Sequence, residues 1–210
     1  MEGTTNIEVA KDIFGNNFFG LKELAMISKS MHIRTDSTEP SIPFKLDQLE
    51  CLKETHLLIL GVSWMADGNP LTIKSLRDLF GIDPAISEPC FYNQDWYLNE
   101  KFASYQLPNK WFLIGKNLID KTRGEDPKVL IYKKKKFPLA VQCAYTFFVY
   151  WFYFHEPLWF SDYIWCRDVD NNGDQIYAGR YLDNNGINKN GFSIHRHLSI
   201  RKNYGCVGFY

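Results

Sequence analysis

The chain contains no P-loop, no G-x-G-x-x-G, no G-x-S-x-G and no H-E-x-x-H anywhere in its 210 residues. Each of those patterns places a particular group on a particular turn, so their absence removes the nucleotide-binding, serine-hydrolase and zinc-protease classes that spacing alone can reveal. Cysteine is sparse as well. Cys51, Cys90, Cys143, Cys166 and Cys206 are odd in number, widely spaced and free of any CxxC pair. Neither a disulfide framework nor a structural zinc site is indicated on that basis, and reduced, mostly buried thiols are expected. An excess of charge of one sign is also missing, with 24 basic residues against 24 acidic ones. Nucleic-acid binding draws its affinity from phosphate neutralisation by a net basic field, so it is not the expected partner class. Met1 to Lys11 is polar and has no apolar stretch of signal-peptide length. A cytoplasmic location is the expectation.

Aromatic residues are plentiful at 16% of the chain. Many lie in the one long apolar run, Leu139 to Phe154, which follows the basic run Lys133 to Lys136. A basic flank before an apolar stretch is how a membrane anchor begins. The run is shorter than the ~20 residues that a helix needs to span hydrocarbon. Gln142, Thr146, Tyr145, Tyr150 and Tyr153 dilute it, and His155-Glu156-Pro157 stops it. The spacing predicts a helix buried in a protein core; the alternative is membrane association through residues 133–154.

Local patterning divides the rest into short pieces. Met1 to Ile7 reads as a frayed end. Phe18, Leu21, Leu24, Ala25 and Ile27 share one helical face, opened by Gly15-Asn16-Asn17. Thr35 to Pro43 is a loop by composition, and Phe44, Leu46, Leu49 and Leu52 predict a second helix. Leu57 to Val62 and Lys110 to Gly115 are compact apolar runs that read as buried strands. Leu71 to Phe80 predicts a helix ended by Gly81, and Asp95 to Lys101 a further helical turn. Leu158 to Cys166 reads as a strand because of Trp159, Tyr163 and Trp165. Gln175 to Tyr177 and Gly179 to Leu182 read as two short β pieces. The resulting class is α+β, with helices packed on mixed or antiparallel sheets. One domain over residues 1–210 is expected, with a weak sub-boundary near 157–166 ahead of a β-rich C-terminal region.

Two motifs carry potential chemistry. Asp168-Val169-Asp170-Asn171-Asn172-Gly173-Asp174 has oxygen-bearing side chains at alternate positions and glycine at the sixth. Asp168, Asp170, Asn172 and Asp174 could therefore ligate calcium. The EF-hand form is excluded, because its twelfth position, which needs a bidentate Glu, is Gly179. The competing reading is a β-hairpin turn, with Asn172-Gly173 between strands ending at Arg167 and starting at Gln175. His195 and His197 flank Arg196 and would share a face on a strand, as a metal-binding or a partner-binding pair. An enzyme reading would join His56 or His195 to Asp168, Asp170 or Asp174 as an orienting carboxylate.

Three stretches carry a family resemblance. They are Gly15-Asn16-Asn17-Phe18-Phe19-Gly20-Leu21, Phe91-Tyr92-Asn93-Gln94-Asp95-Trp96-Tyr97, and Cys166-Arg167-Asp168 through Gly179 with the ending Gly205-Cys206-Val207-Gly208-Phe209. Together the chain resembles a group of bacterial proteins similar to the variable proteins of diversity-generating retroelements. Their ending is G-x-x-G-F closed by Arg, where this chain has Tyr210. The resemblance implies a C-type-lectin-like fold in the C-terminal part, with mutable surface residues in the terminal segment. It implies a binding protein without catalysis, whose ligand is another protein or a small molecule. Asn188, Asn190, Phe192, His195, His197, Arg201 and Tyr204 are the expected contact residues, since such side chains make adaptable polar and aromatic contacts.

Overall fold

The structure, a computed structural model, describes residues 5–36, 38–181, 190–196 and 198–210. Among these the helices are α1 (Ile7–Phe14), α2 (Leu21–Met31), α3 (Leu46–Leu52), α4 (Ile73–Phe80), α5 (Pro127–Tyr132) and α6 (Ala140–Phe154). The strands are β1 (Phe18–Phe19), β2 (His56–Leu60), β3 (Trp111–Leu118), β4 (Tyr163–Val169), β5 (Gln175–Tyr181), β6 (Gly191–His195), β7 (Tyr204–Gly205) and β8 (Val207–Phe209). The fold is α+β, and both of its sheets are mixed.

Local chemistry explains where several elements begin. Ile7 opens a helix instead of ending a frayed tail, because the Asn6 side chain accepts the Glu8 N–H at 2.8 Å and caps α1. Phe18 was expected on a helical face, yet it lies with Phe19 in β1, paired parallel with Leu58 and Ile59 of β2. The helix starts after Gly20, whose N–H donates to Glu23 Oε2 at 3.1 Å. Burial of two adjacent phenylalanines beside a strand overrides the helical spacing. The segment 158–162 precedes β4 instead of belonging to it, and the β pieces expected from residue 175 onward join in one strand, β5, up to Tyr181, with Leu182 outside the described residues.

The first sheet has the order β1-β2-β3-β8 and the second the order β6-β5-β4-β7. The tail joins them: β7 pairs parallel with β4, and β8, one residue later, pairs antiparallel with β3. Turn residues 170–174 close the β4–β5 hairpin, with Gly173 at φ 87°. That positive φ is the conformation for which glycine is suited.

Helix α6 is the apolar run predicted from the sequence, and residues 140–149 are all buried. It packs on β4, β5 and β6 and against α2 and α4, while the Tyr145 hydroxyl donates to the Leu60 carbonyl at 3.1 Å. A helix that is apolar all round belongs inside a protein or a bilayer. Here protein covers residues 140–149, as expected of a core helix, and residues 150–154 are half-buried. Among the described residues no helix is long and apolar enough to cross a membrane. A single apolar cluster runs through Phe14, Leu58, Leu113, Phe148, Ile164 and Ile194, drawing on both sheets.

Candidate binding site on the C-terminal sheet

Strand alternation splits the second sheet into two unlike faces. Ile164 and Cys166 of β4, Ile176 and Ala178 of β5, and Phe192 and Ile194 of β6 join the main core. The other face carries Tyr163 and Trp165 of β4, Tyr177 of β5, His195 of β6 and Tyr204 of β7. Registry places Trp165, Tyr177 and His195 side by side across three strands. The rings interlock. Tyr177 stacks on Tyr204 with centroids 4.6 Å apart and on His195 at 5.7 Å, and Trp165 meets the Tyr177 ring edge-on at 5.1 Å. Leu130, Phe137 and Cys206 complete this smaller cluster.

His195 stands where that face reaches the surface. Its ring is half-buried, between Tyr163 on one side and Tyr92 at 6.1 Å on the other, and Tyr92 packs on Tyr181 at 4.6 Å. The position is fixed from the neighbouring segment. The Tyr92 N–H donates to the Phe192 carbonyl at 2.8 Å, and Trp96 Nε1 donates to the Ile194 carbonyl at 3.0 Å. Gly191, at φ 142°, permits this approach, since a Cβ there would lie 2.5 Å from the Tyr92 nitrogen. Gln94 Nε2 lies 2.9 Å from His195 Nδ1. With the amide donating, the imidazole proton sits on Nε2. Burial lowers the His195 pKa from 6.5 to about 4, so the ring is neutral at pH 7. Burial likewise pushes the Tyr163 phenol up to about 12.

Several polar atoms at this face lack partners. Gln94 Oε1, the Tyr177 hydroxyl and Trp165 Nε1 are buried without a hydrogen bond. The Tyr204 phenol and the Leu198 main chain both interact electrostatically with the Tyr177 hydroxyl. An unsatisfied buried group costs about 1–3 kcal/mol, and the Gln94 amide that carries one of these atoms also reaches the His195 ring.

The expected contact residues divide sharply. His195 belongs to the surface just described. Asn190 is half-buried, with its carbonyl oxygen facing Cys90 Sγ at 3.7 Å. Arg201 is exposed, and its carbonyl accepts the Tyr204 N–H at 2.9 Å. Phe192 and Tyr204 are both buried, Phe192 against Phe91, Phe147 and Phe148 on the core face and Tyr204 within the aromatic stack. The core claims such rings because burying a phenylalanine-sized side chain stabilises the fold by about 1.5–3 kcal/mol. Asn188 and His197 lie outside the described residues. Tyr92, Gln94 and Tyr181 were not singled out as site residues. Two of them sit about 100 residues from His195 in the chain, and no local periodicity links them.

The expected calcium set does not assemble. Asp168 is buried and accepts the Ala140 N–H at 2.6 Å, so it caps α6. Asp170 Oδ1 accepts the Asn172 and Asp174 N–H groups at 2.8 and 2.9 Å, and its Oδ2 accepts from Arg196 at 2.7 Å. Burial raises the Asp170 pKa, but the Asp174 N–H and Arg196 outweigh it, so the net direction is down. Arg196 also reaches Glu100 at 3.3 Å and lies over the Trp96 ring at 4.4 Å. Asn172 and Asp174 are exposed. These side chains tie a hairpin turn to its neighbours, and among the described residues no group of three or more His, Cys, Asp or Glu could hold a metal ion.

The expected histidine–carboxylate pairs do not form either. His56 is buried, with Nδ1 2.8 Å from Thr55 Oγ1 and Nε2 without a partner. Burial lowers its pKa to about 4, with Lys116 contributing. No carboxylate among the described residues contacts His56 or His195.

No family model, curated protein or solved structure matches this chain significantly.

Proposed function

We propose that this chain is a binding protein that recognises a protein segment or a small polar-aromatic ligand through the surface formed by Tyr92, Tyr181 and His195. The observation that carries the reading is a neutral imidazole held between tyrosines, with the buried, unpartnered Gln94 oxygen beside it and, among the described residues, no carboxylate in contact. Tyrosine and imidazole rings give large contact area with a polar tip at low conformational cost. Anchoring by β6 and by the Phe91–Tyr92 segment presents them with little freedom to lose on binding. A neutral imidazole with one nitrogen facing an amide is suited to accepting and donating hydrogen bonds to a bound partner. The C-type-lectin-like resemblance belongs to the same proposal, since His195 falls in the terminal segment where the variable proteins hold their mutable positions.

The test is selection of a random-peptide display library on the wild-type protein, followed by affinity measurement on variants. Selected peptides are expected to lose at least tenfold in affinity for Y92A/H195A while binding normally to a variant altered at the distant Lys29. Peptides that bind both variants equally would place the recognition surface elsewhere.

A further inference from the structure

On another part of the molecule, α5 ends in an unusual turn. The Lys134 N–H donates to the Ile131 carbonyl and the Lys135 N–H to the Leu130 carbonyl, at 2.8 and 3.0 Å. Lys134 takes φ 56°, a left-handed conformation that Gly or Asn adopts more readily. The turn carries Lys135 and Lys136 to the rim of a cleft of about 320 Å³. Ile131, Phe137 and Phe209 line it with apolar surface, and Arg167 adds a third cation. A smaller cleft of about 160 Å³ adjoins it and shares Lys135, Lys136 and Phe209. No acidic side chain lines either cleft, and among the described residues no salt bridge engages Lys135, Lys136 or Arg167, although the buried Asp168 carboxylate attracts Arg167 electrostatically. In a chain of zero net charge this is a local segregation of positive charge over an apolar floor.

We propose that this cleft binds a small anionic amphiphile, a medium-chain carboxylate being the simplest, with its chain on Ile131, Phe137 and Phe209 and its head group between Lys135, Lys136 and Arg167. Three cations gathered at one rim with no acidic side chain in the lining favour an anionic head group through charge-assisted hydrogen bonds. The apolar floor excludes a bare inorganic anion as the preferred occupant, because its burial is rewarded only by a ligand with apolar surface. The volume lies at the lower end of the ~300–1,000 Å³ usual for small-ligand sites, which sets the ligand at a single short chain. The site shares no residue with the Tyr92–Tyr181–His195 surface and stands or falls independently of it.

Isothermal titration calorimetry with decanoate, octanoate and hexanoate tests this directly, with decyltrimethylammonium and inorganic phosphate as controls. Decanoate is expected to bind, and affinity should rise by up to about fourfold per added methylene. Decyltrimethylammonium and phosphate should each bind at least tenfold more weakly than decanoate. The K135E/K136E variant should lose at least tenfold in decanoate affinity. I131D, at an exposed position, should do the same while leaving thermal unfolding unchanged, which guards against misfolding of the lysine variant. Absence of decanoate binding, affinity independent of chain length, or equal binding of the cationic amphiphile overturns the proposal. So does binding to anionic phospholipid vesicles without binding to free decanoate, which would mark adsorption to a bilayer instead of occupancy of the cleft.

Discussion

His56 and His195 lie in different sheets, yet burial drives both pKa values from 6.5 to about 4. The native state therefore binds fewer protons than the unfolded chain between those values. The stabilisation is fully present above about pH 6.5 and is lost as pH falls towards 4. The span corresponds to at most about 3 kcal/mol per imidazole. Urea denaturation should show stability declining from pH 7 to pH 4.5, and H56N/H195N should be weaker at pH 7 but with a flatter decline. An unchanged slope in the double variant would assign the effect to other groups. At this scale His195 was legible as a polar side chain in a C-terminal strand. Its partners Tyr92 and Gln94 were not, because contact across about 100 residues leaves no trace in local spacing.

Helix α6 owes its start to another element. Asp168 of β4 reaches the Ala140 N–H, while the Gln142 side chain accepts the Leu139 N–H at 2.8 Å. Asp168 is buried, and desolvation raises its pKa despite that bond. D168A is expected to cost about 1–2 kcal/mol, as loss of a helix cap does, and D168N less because an acceptor oxygen remains. Equal losses in the two variants, read by chemical denaturation, would show that the hydrogen bond to Ala140 contributes nothing. The apolar run 139–154 announced this helix, and Leu57 to Val62 announced β2, because both are continuous and bounded by breakers. Alternating acidic residues suit both a calcium loop and a hairpin turn, and the hairpin turn, which Asn172-Gly173 favours in the sequence, is what forms. Helix α5 was missed because its six residues carry too little periodicity to separate from a loop.

Across the whole molecule the tail couples the two sheets, since β7 and β8 extend one sheet each. Gly208 lies flush against the buried His56 ring, and a Cβ there would stand 2.1 Å from Nε2. G208A is expected to cost about 1–3 kcal/mol, as overpacking does. Because one apolar cluster spans both sheets, the loss should lower a single transition, seen together by tryptophan fluorescence and far-UV circular dichroism. Two separated transitions would mean that the sheets unfold independently. The sequence by itself determined the α+β class, the buried helix, the main strands and the absence of familiar catalytic spacings, because apolar runs and turn residues act over a few neighbours. Only the tertiary structure decided that Phe192 turns inward while His195 reaches the surface, that Asp168 caps a helix, and that Tyr92 joins Tyr181. Those outcomes depend on strand register and on which faces the core covers, and register is set by packing across the whole chain.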